Sequence, residues 1–203
     1  MKTFLFVTIL TISLLIISCG DNVSVPSKSN EYLGELPSIV KNNIASEEAK
    51  EKELKKATDM NEAFKLDKEL KLLKEENKEK ILKYISSAKM FGKEIPFEAI
   101  SDNNILTLNK VLLDTAYSNG RVVFKFISTI NNDVNPQRHT PIVYFKALDK
   151  QGVEISGANS VAAGSRLDIN PGDIVNTTGI LDANLLEDFA KIVQITKEEY
   201  DKK

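Results

Sequence analysis

The hydrophobic period of the chain changes at Phe91-Gly92, and this change divides the sequence into two parts. Residues 46–89 contain no Gly and no Pro and are dense in Glu, Lys, Ala and Leu, which are good helix formers. After Gly92, apolar and polar residues alternate in short runs separated by turn-forming residues, which is typical of β-strands. We therefore predict an α+β chain that is mainly β, with a long charged helix at residues 46–90 and an antiparallel β domain at residues 91–203.

Ser46 is placed to cap this helix, because Glu47 and Glu48 follow it in the first turn, where the helix dipole favours acidic side chains. A continuous helix over residues 46–89 would be about 66 Å long, well beyond the usual length in globular proteins. We therefore expect either a break near Thr58-Asp59 or Asn77, or a stalk that projects from the rest of the protein.

An apolar stripe along the helix bears on what the helix packs against. Ala63, Leu66, Leu70 and Leu73 follow a helical spacing, and the stripe then meets the polar residue Asn77. Two interpretations stay open. The helix either docks this stripe on the β domain, or it serves as a spacer or as one strand of a helical bundle.

Three turn signals divide the β domain. Ser118-Asn119-Gly120 separates residues 105–113 from residues 121–130, and Asn-Gly predicts a hairpin turn in which both central residues have positive φ. Asp149-Lys150-Gln151-Gly152 and Asn170-Pro171-Gly172-Asp173 predict two further turns, the second of type II. The other predicted elements are strands at residues 142–148, 153–155, 167–169, 174–180 and 191–195, a helical turn within 184–190, and a short final helix capped at Thr196.

Six or seven short strands joined by turns rather than helices predict an antiparallel immunoglobulin-like β-sandwich. Three segments carry a family resemblance: Asn131-Asn132, residues 143–152 and Asn170-Pro171-Gly172-Asp173. Over roughly residues 105–180 they are similar to the small immunoglobulin-like domains of bacterial envelope lipoproteins of the FxLYD type, although Leu148 stands where that family usually has Tyr. The resemblance implies a sandwich fold and supplies no enzymatic site.

Residues 1–18 have the form of an export signal, with Lys2 followed by an uncharged, mainly apolar run. The run is shorter than the ~20 apolar residues that a spanning helix needs. It ends in Ile16-Ile17-Ser18-Cys19-Gly20, which resembles the bacterial lipobox: a branched apolar residue and then a small residue precede the cysteine. We predict cleavage after Ser18 and lipid attachment to the thiol of Cys19, because two or more acyl chains hold a protein stably on a membrane.

Residues 19–45 are predicted to be a flexible tether, because they are rich in Ser, Pro and Gly and show little periodicity. An apolar cluster in this segment leaves open whether part of it docks on the domain. The cluster comprises Leu33, Leu36, Ile39 and Val40. Gly20 rather than Asp follows Cys19, so the inner-membrane retention signal of some Gram-negative lipoproteins is missing. We therefore expect anchoring at the outer membrane rather than the inner membrane.

The composition excludes several kinds of site. Cys19 is the only Cys and His139 the only His, so neither an internal disulfide nor a histidine-rich metal site can form. A net charge of -2, from 27 basic and 29 acidic residues, gives no overall attraction to nucleic acid. No glycine-rich phosphate loop, Gly-x-Ser-x-Gly elbow or His-Glu-x-x-His helix occurs. We predict a protein that is not an enzyme and that binds no cofactor, metal or nucleic acid.

Two polar segments each have an ordinary interpretation beside a functional one. His139 lies in a polar connection between strands, and we expect a surface loop rather than a catalytic base. Asn131-Asn132-Asp133 and Asn135 offer oxygens to Ca²⁺, but the spacing of an EF-hand and its closing Glu are missing. A connection rich in Asn and Asp between strands is the expected structure.

Two other patterns also allow an ordinary interpretation. Glu94 and Glu98 precede the first predicted strand, and the sequence does not pair them as an acid and a base. Asp114-Thr115-Ala116 resembles the O-glycosylation site that one group of Gram-negative bacteria uses on exported proteins. A buried strand end is the alternative interpretation.

Together these features predict a lipid-anchored, non-enzymatic interaction module that binds a protein or a glycan through exposed edges or loops of its sandwich. The second hypothesis is a structural or assembly factor that acts through the helix at residues 46–90. The third is a hydrolase that combines His139 with scattered carboxylates.

Overall fold

The computed structural model describes residues 30–100, 105–131, 142–162 and 170–202. They form a mixed α and β structure with two long helices and two β-sheets. Several features predicted from the sequence lie outside the described residues. These are the export signal, Cys19, Asn132, Asp133, Asn135, His139 and the strand at residues 167–169.

Two helices, α1 (Leu36–Lys56) and α2 (Met60–Ser87), form a helical hairpin. The chain breaks between them at residues 57–59, which is one of the two places expected from the sequence. Asp59 caps α2, because its Oδ1 accepts hydrogen bonds from the N–H groups of Asn61 and Glu62 at 2.7 and 3.0 Å. A single helix over residues 46–90 therefore does not form.

The helical region begins earlier than predicted, and the prediction of a flexible tether at residues 19–45 is wrong from residue 30 onward. α1 begins at Leu36 and carries a Pro in its first turn, where Pro interrupts no intrahelical hydrogen bond. Leu33, Leu36 and Val40 are buried. Burial of these side chains offsets the entropy lost on ordering the segment, so the apolar cluster folds onto the domain.

The predicted cap at Ser46 is also wrong. Ser46 lies inside α1, and its Oγ donates a hydrogen bond to the carbonyl oxygen of Asn43 at 2.8 Å. Ser often bonds the preceding helical turn in this way when it occurs within a helix. The helix continues through Ser46 because the apolar spacing that packs α1 on the domain starts ten residues before it, at Leu36.

The described residues of the β domain form seven strands. They are β1 (Phe97–Glu98), β2 (Leu106–Ala116), β3 (Arg121–Ile130), β4 (Ile142–Asp149), β5 (Glu154–Ala162), β6 (Ile174–Asp182) and β7 (Phe189–Ile195). One sheet has the order β2-β3-β6 and is antiparallel. The other has the order β1-β7-β4-β5, in which β1 runs parallel to β7 and the other pairs are antiparallel. β1 was not among the predicted strands.

The helical segments predicted near the carboxyl terminus are confirmed. A 3₁₀ turn occupies Ala183–Leu185, and a short helix, α3, occupies Lys197–Asp201. The Oγ1 of Thr196 accepts a hydrogen bond from the N–H of Glu199, and the Glu199 carboxylate accepts one from the N–H of Thr196, both at 3.1 Å. This reciprocal pair is the capping box that starts α3.

The three predicted turns form, and the first differs in type. Residues 117–120 join β2 to β3, and only Gly120 among them has a positive φ, of 79°. Asn119 keeps a negative φ, and its Oδ1 accepts a hydrogen bond from the N–H of Arg121 at 3.2 Å. The connection therefore uses one left-handed glycine rather than two consecutive left-handed residues. The prediction that both central residues have positive φ is wrong.

The two sheets pack face to face around one apolar core. Phe126 of β3 and Phe145 of β4 meet across it, with ring centroids 4.7 Å apart. Gly179 of β6 leaves room for both rings, because a Cβ atom there would lie 2.8 Å from Cε2 of Phe126 and 2.7 Å from Cζ of Phe145. The arrangement is sandwich-like, and the close packing of the two rings requires glycine at residue 179.

The base of the helical hairpin closes one end of this core. Leu33, Leu36, Val40 and Ile81 belong to the same buried cluster as the core residues of the sheets. No residue from 41 to 80 belongs to that cluster, so this part of the hairpin, which we call the hairpin arm, extends beyond it. The helices therefore dock on the β domain at their base and project from it farther out.

Candidate functional site

Glu94 and Glu98 each pair with a lysine. Glu94 lies 2.9 Å from Lys110 of β2, and Glu98 of β1 pairs with Lys191 of β7. The two lysines belong to different sheets. Each carboxylate therefore has its own lysine partner.

Two other predicted positions are ordinary parts of strand ends. Asn131 accepts a hydrogen bond from Oγ1 of Thr107 at its Oδ1, at 3.1 Å. Asp114-Thr115-Ala116 ends β2, with an exposed Asp, a half-buried Thr and a buried Ala. The structure thus places the third residue of this segment in the buried strand end that was the alternative to a modification site.

A cleft of about 570 Å³ lies between the helical hairpin and the turn that joins β2 to β3. We call it the hairpin cleft. Val40, Ile44 and Ile81 contribute apolar surface, and the turn contributes Ser118 and Asn119. The turn approaches α1 closely because residue 120 is a glycine. A Cβ atom at Gly120 would lie 2.6 Å from Cγ1 of Val40.

Two buried asparagines that line the hairpin cleft join α1 to α2 beside its apolar floor. Asn43 is 8% exposed and Asn77 is 2% exposed. The Nδ2 of Asn43 donates to the carbonyl oxygen of Asn77 at 3.2 Å, and the Nδ2 of Asn77 donates to Oε1 of Glu47 at 2.8 Å. A shift of one helix along the other would leave these amides buried without partners. The pair therefore fixes the alignment of the two helices, as a buried Asn does in a coiled coil.

Three lysines of α2 line the cleft, and each one is paired with a carboxylate. The pairs are Lys71–Asp67 at 2.7 Å, Lys74–Glu51 at 2.9 Å and Lys78–Glu75 at 2.6 Å. Charges of both signs therefore surround the apolar floor, and neither sign dominates locally. Such a surface suits a ligand that has both apolar and polar groups.

The pair between Lys74 and Glu51 joins the two helices. The hydrogen bond between these side chains lowers the pKa of Glu51 and raises the pKa of Lys74. Because the folded pKa of Glu51 is lowered, its contribution to stability is complete above the unfolded pKa and is lost as the pH falls through the folded pKa. This contact is therefore weakened in acid, and solvent screening keeps the effect small.

The sequence carries a signal for Asn77, although the same residue also marks the end of the apolar stripe. Asn77 continues the helical spacing of Leu66, Leu70 and Leu73, so it occupies a position that faces α1. A polar residue at an apolar position of a helix pair is a recognised device for fixing alignment. Asn43 had no such signal, because the segment that contains it was predicted to be a tether.

Comparisons with models of protein families, with curated proteins and with solved structures find no match to this chain. Among the helices that the structure describes, none is long and apolar enough to cross a bilayer. The described part of the chain brings together no three His, Cys, Asp or Glu side chains that could hold a metal ion.

Proposed function

We propose that this chain is a lipid-anchored protein of the bacterial envelope that binds a protein or a glycan without catalysing a reaction. Lipid on Cys19 would hold it at the outer membrane. Residues 20–29 would then join the anchor to the described part of the chain, which begins at Asn30. Fully extended, this connection reaches about 35 Å, so the domain works closer to the membrane than a tether to residue 45 would allow.

The strand order supports an immunoglobulin-like assignment for the β domain. β2, β3 and β6 form one sheet, and β4, β5 and β7 belong to the other. This corresponds to strands A, B and E against C, C′ and F of immunoglobulin domains. β1 takes the place of strand G beside F, although it runs parallel to its neighbour.

The observation that carries the binding proposal is the hairpin cleft. It is concave, and it combines an apolar floor with paired charges. The helical hairpin and the turn between β2 and β3 form its walls. Sites that bind ligands commonly combine apolar surface with a few polar groups in this way. Val40 and Ile81 line the cleft and also belong to the core, so its shape is formed before a partner arrives.

An assembly role through the helices is the second candidate, and one observation favours it. Met60 and Phe64 lie about one turn apart at the tip of the hairpin arm, where they are 87% and 74% exposed. Large apolar side chains exposed together on a surface are typical of contact with another molecule. The two candidates place the partner at opposite ends of the arm.

Crosslinking in cells separates these candidates. We expect a photoreactive residue at Ile44, in the cleft, to crosslink to a partner, and the same residue at Lys52, an exposed position of α1 that does not line the cleft, to give no product. Crosslinking at Phe64 alone would favour the assembly role. No product at either Ile44 or Phe64 would contradict both. Deletion of the helices cannot replace this test, because Ile81 belongs to the core.

The anchor has its own test. We expect Cys19→Ala to abolish the incorporation of labelled fatty acid and to leave an uncleaved or soluble form, because no other thiol exists in the chain. The measurement is labelling in growing cells followed by fractionation of membranes. If the variant still incorporates label, the lipobox prediction is wrong, whatever the crosslinking shows.

A further inference from the structure

β6 is an edge strand whose outer side has no hydrogen-bonded partner among the described strands. β5 of the other sheet comes close to β6 without pairing with it. Two hydrogen bonds mark the pairing of β6 with β3: the N–H of Ala183 donates to the carbonyl of Gly120, and the N–H of Ile130 donates to the carbonyl of Asp173, both at 2.9 Å. In an antiparallel pair such bonded positions alternate with unbonded ones. The backbone groups of alternate residues, from Ile174 to Asp182, therefore point away from β3.

The outward-pointing residues of β6 are also those whose side chains are exposed. Ile174 is 62% exposed and Ile180 is 45% exposed, and two short polar residues, Asn176 and Thr178, lie between them. Natural edge strands are usually protected by Lys, Pro, a bulge or a covering segment. Residues 174–181 contain no charged residue and no Pro, and the pairing with β3 shows no register shift.

We propose that two copies of this chain pair antiparallel along the outer edge of β6, with the twofold axis at Thr177. In this register Ile174 of each copy lies opposite Ile180 of the other, and Asn176 lies opposite Thr178. These positions carry the outward N–H and C=O groups, so the contact forms about eight backbone hydrogen bonds. The two three-stranded sheets become one sheet of six strands.

The sequence of β6 selects this register and a second copy as the occupant. Ile174 and Ile180 are equally distant from Thr177, so one twofold contact brings the two exposed isoleucines together twice. A twofold axis at Thr178 would instead place Ile174 opposite the carboxylate of Asp182. Aliphatic pairs across neighbouring strands stabilise a sheet, whereas that alternative buries an apolar group against a charge.

The test is sedimentation velocity of the full chain in excess detergent over a range of concentrations. We expect a reversible dimer, and we expect Ile180→Lys to raise its dissociation constant about tenfold or more, because the variant places a lysine in the contact twice. Val153→Lys is the matched control. It changes an apolar side chain of similar exposure, 59%, that is not on β6, and it should not alter dimerisation.

A second variant covers the case in which Ile180→Lys folds poorly. The N–H of Thr178 points away from β3, so Thr178→Pro removes no hydrogen bond between the described strands and should also weaken the dimer. In wild-type protein, hydrogen exchange at the amides of Asn176 and Thr178 should slow as the concentration rises. A monomer at every concentration, an unchanged dimer in both β6 variants, or amide protection independent of concentration would each overturn the proposal.

Discussion

Gly179→Ala is expected to lower the free energy of unfolding by about 2–3 kcal/mol, although it adds only one methyl group. The new Cβ would lie 2.7 Å from Cζ of Phe145 and 2.8 Å from Cε2 of Phe126, closer than carbon atoms approach without strain. Gly179 has no positive φ, so backbone strain does not contribute. The whole effect comes from forcing apart the rings that hold the two sheets together.

Urea denaturation of Gly179→Ala, Phe145→Leu and the double variant separates this cause from others. Phe145→Leu alone leaves a cavity and is expected to cost about 1–2 kcal/mol. In the double variant the alanine methyl fills part of that cavity, so the combined loss should be smaller than the sum of the single losses. Losses that simply add would mean that residue 179 does not pack against Phe145, and the face-to-face arrangement of the sheets would then be wrong.

The parts of the fold that were predicted correctly depend on residues close together in sequence. Thr196 and Glu199 are neighbours on one helical turn, and Asp59 caps the helix that starts at the next residue. The alternation that located β3 and β6 follows from the two faces of a strand, one of which meets the core. Such signals need no knowledge of what the segment packs against.

The parts that were missed depend on distant partners. Leu33 and Leu36 are ordered because they pack into the core of the β domain, which is formed by residues distant in sequence. Local composition does not reveal this packing, so their segment resembles a tether. β1 is a strand because Phe97 and Glu98 pair with Ile192 and Val193. The hairpin cleft was equally out of reach, since it exists only where α1, α2 and a β turn meet.

One buried side chain, that of Asn30, hydrogen-bonds the amino-terminal segment to the β domain. Asn30 is buried, and its Nδ2 lies 3.1 Å from the carbonyl oxygens of Leu186 and Glu187 and 3.2 Å from that of Phe189. Its Oδ1 accepts hydrogen bonds from the N–H groups of Tyr32 and Leu33, at 2.8 and 2.9 Å. The proposed anchor would therefore join the domain through this residue.

Asn30→Ala is expected to lower the free energy of unfolding by about 3 kcal/mol, because it removes five hydrogen bonds to backbone groups, three of which are buried. Hydrogen exchange at Tyr32 and Leu33 should accelerate, which would locate the loss at this junction. Lys41→Ala is the matched control: it removes an exposed ion pair to Glu187 at the same junction, and it should change stability little. Equal losses in the two variants would contradict the role given to Asn30.

Asn30→Asp tests the geometry further, because it keeps the acceptor and replaces the donor with a second oxygen. A carboxylate would face three carbonyl oxygens, so we expect a loss at neutral pH at least as large as that of Asn30→Ala. These neighbours would raise the folded pKa of the new carboxyl above its unfolded value of about 3.9. The loss should therefore be complete above the folded pKa and should shrink as the pH falls toward the unfolded value, since a protonated carboxyl can donate to a carbonyl. Asn30→Ala should show no such dependence, and a loss in Asn30→Asp that is equal at all pH values would mean that the side chain does not face these carbonyls.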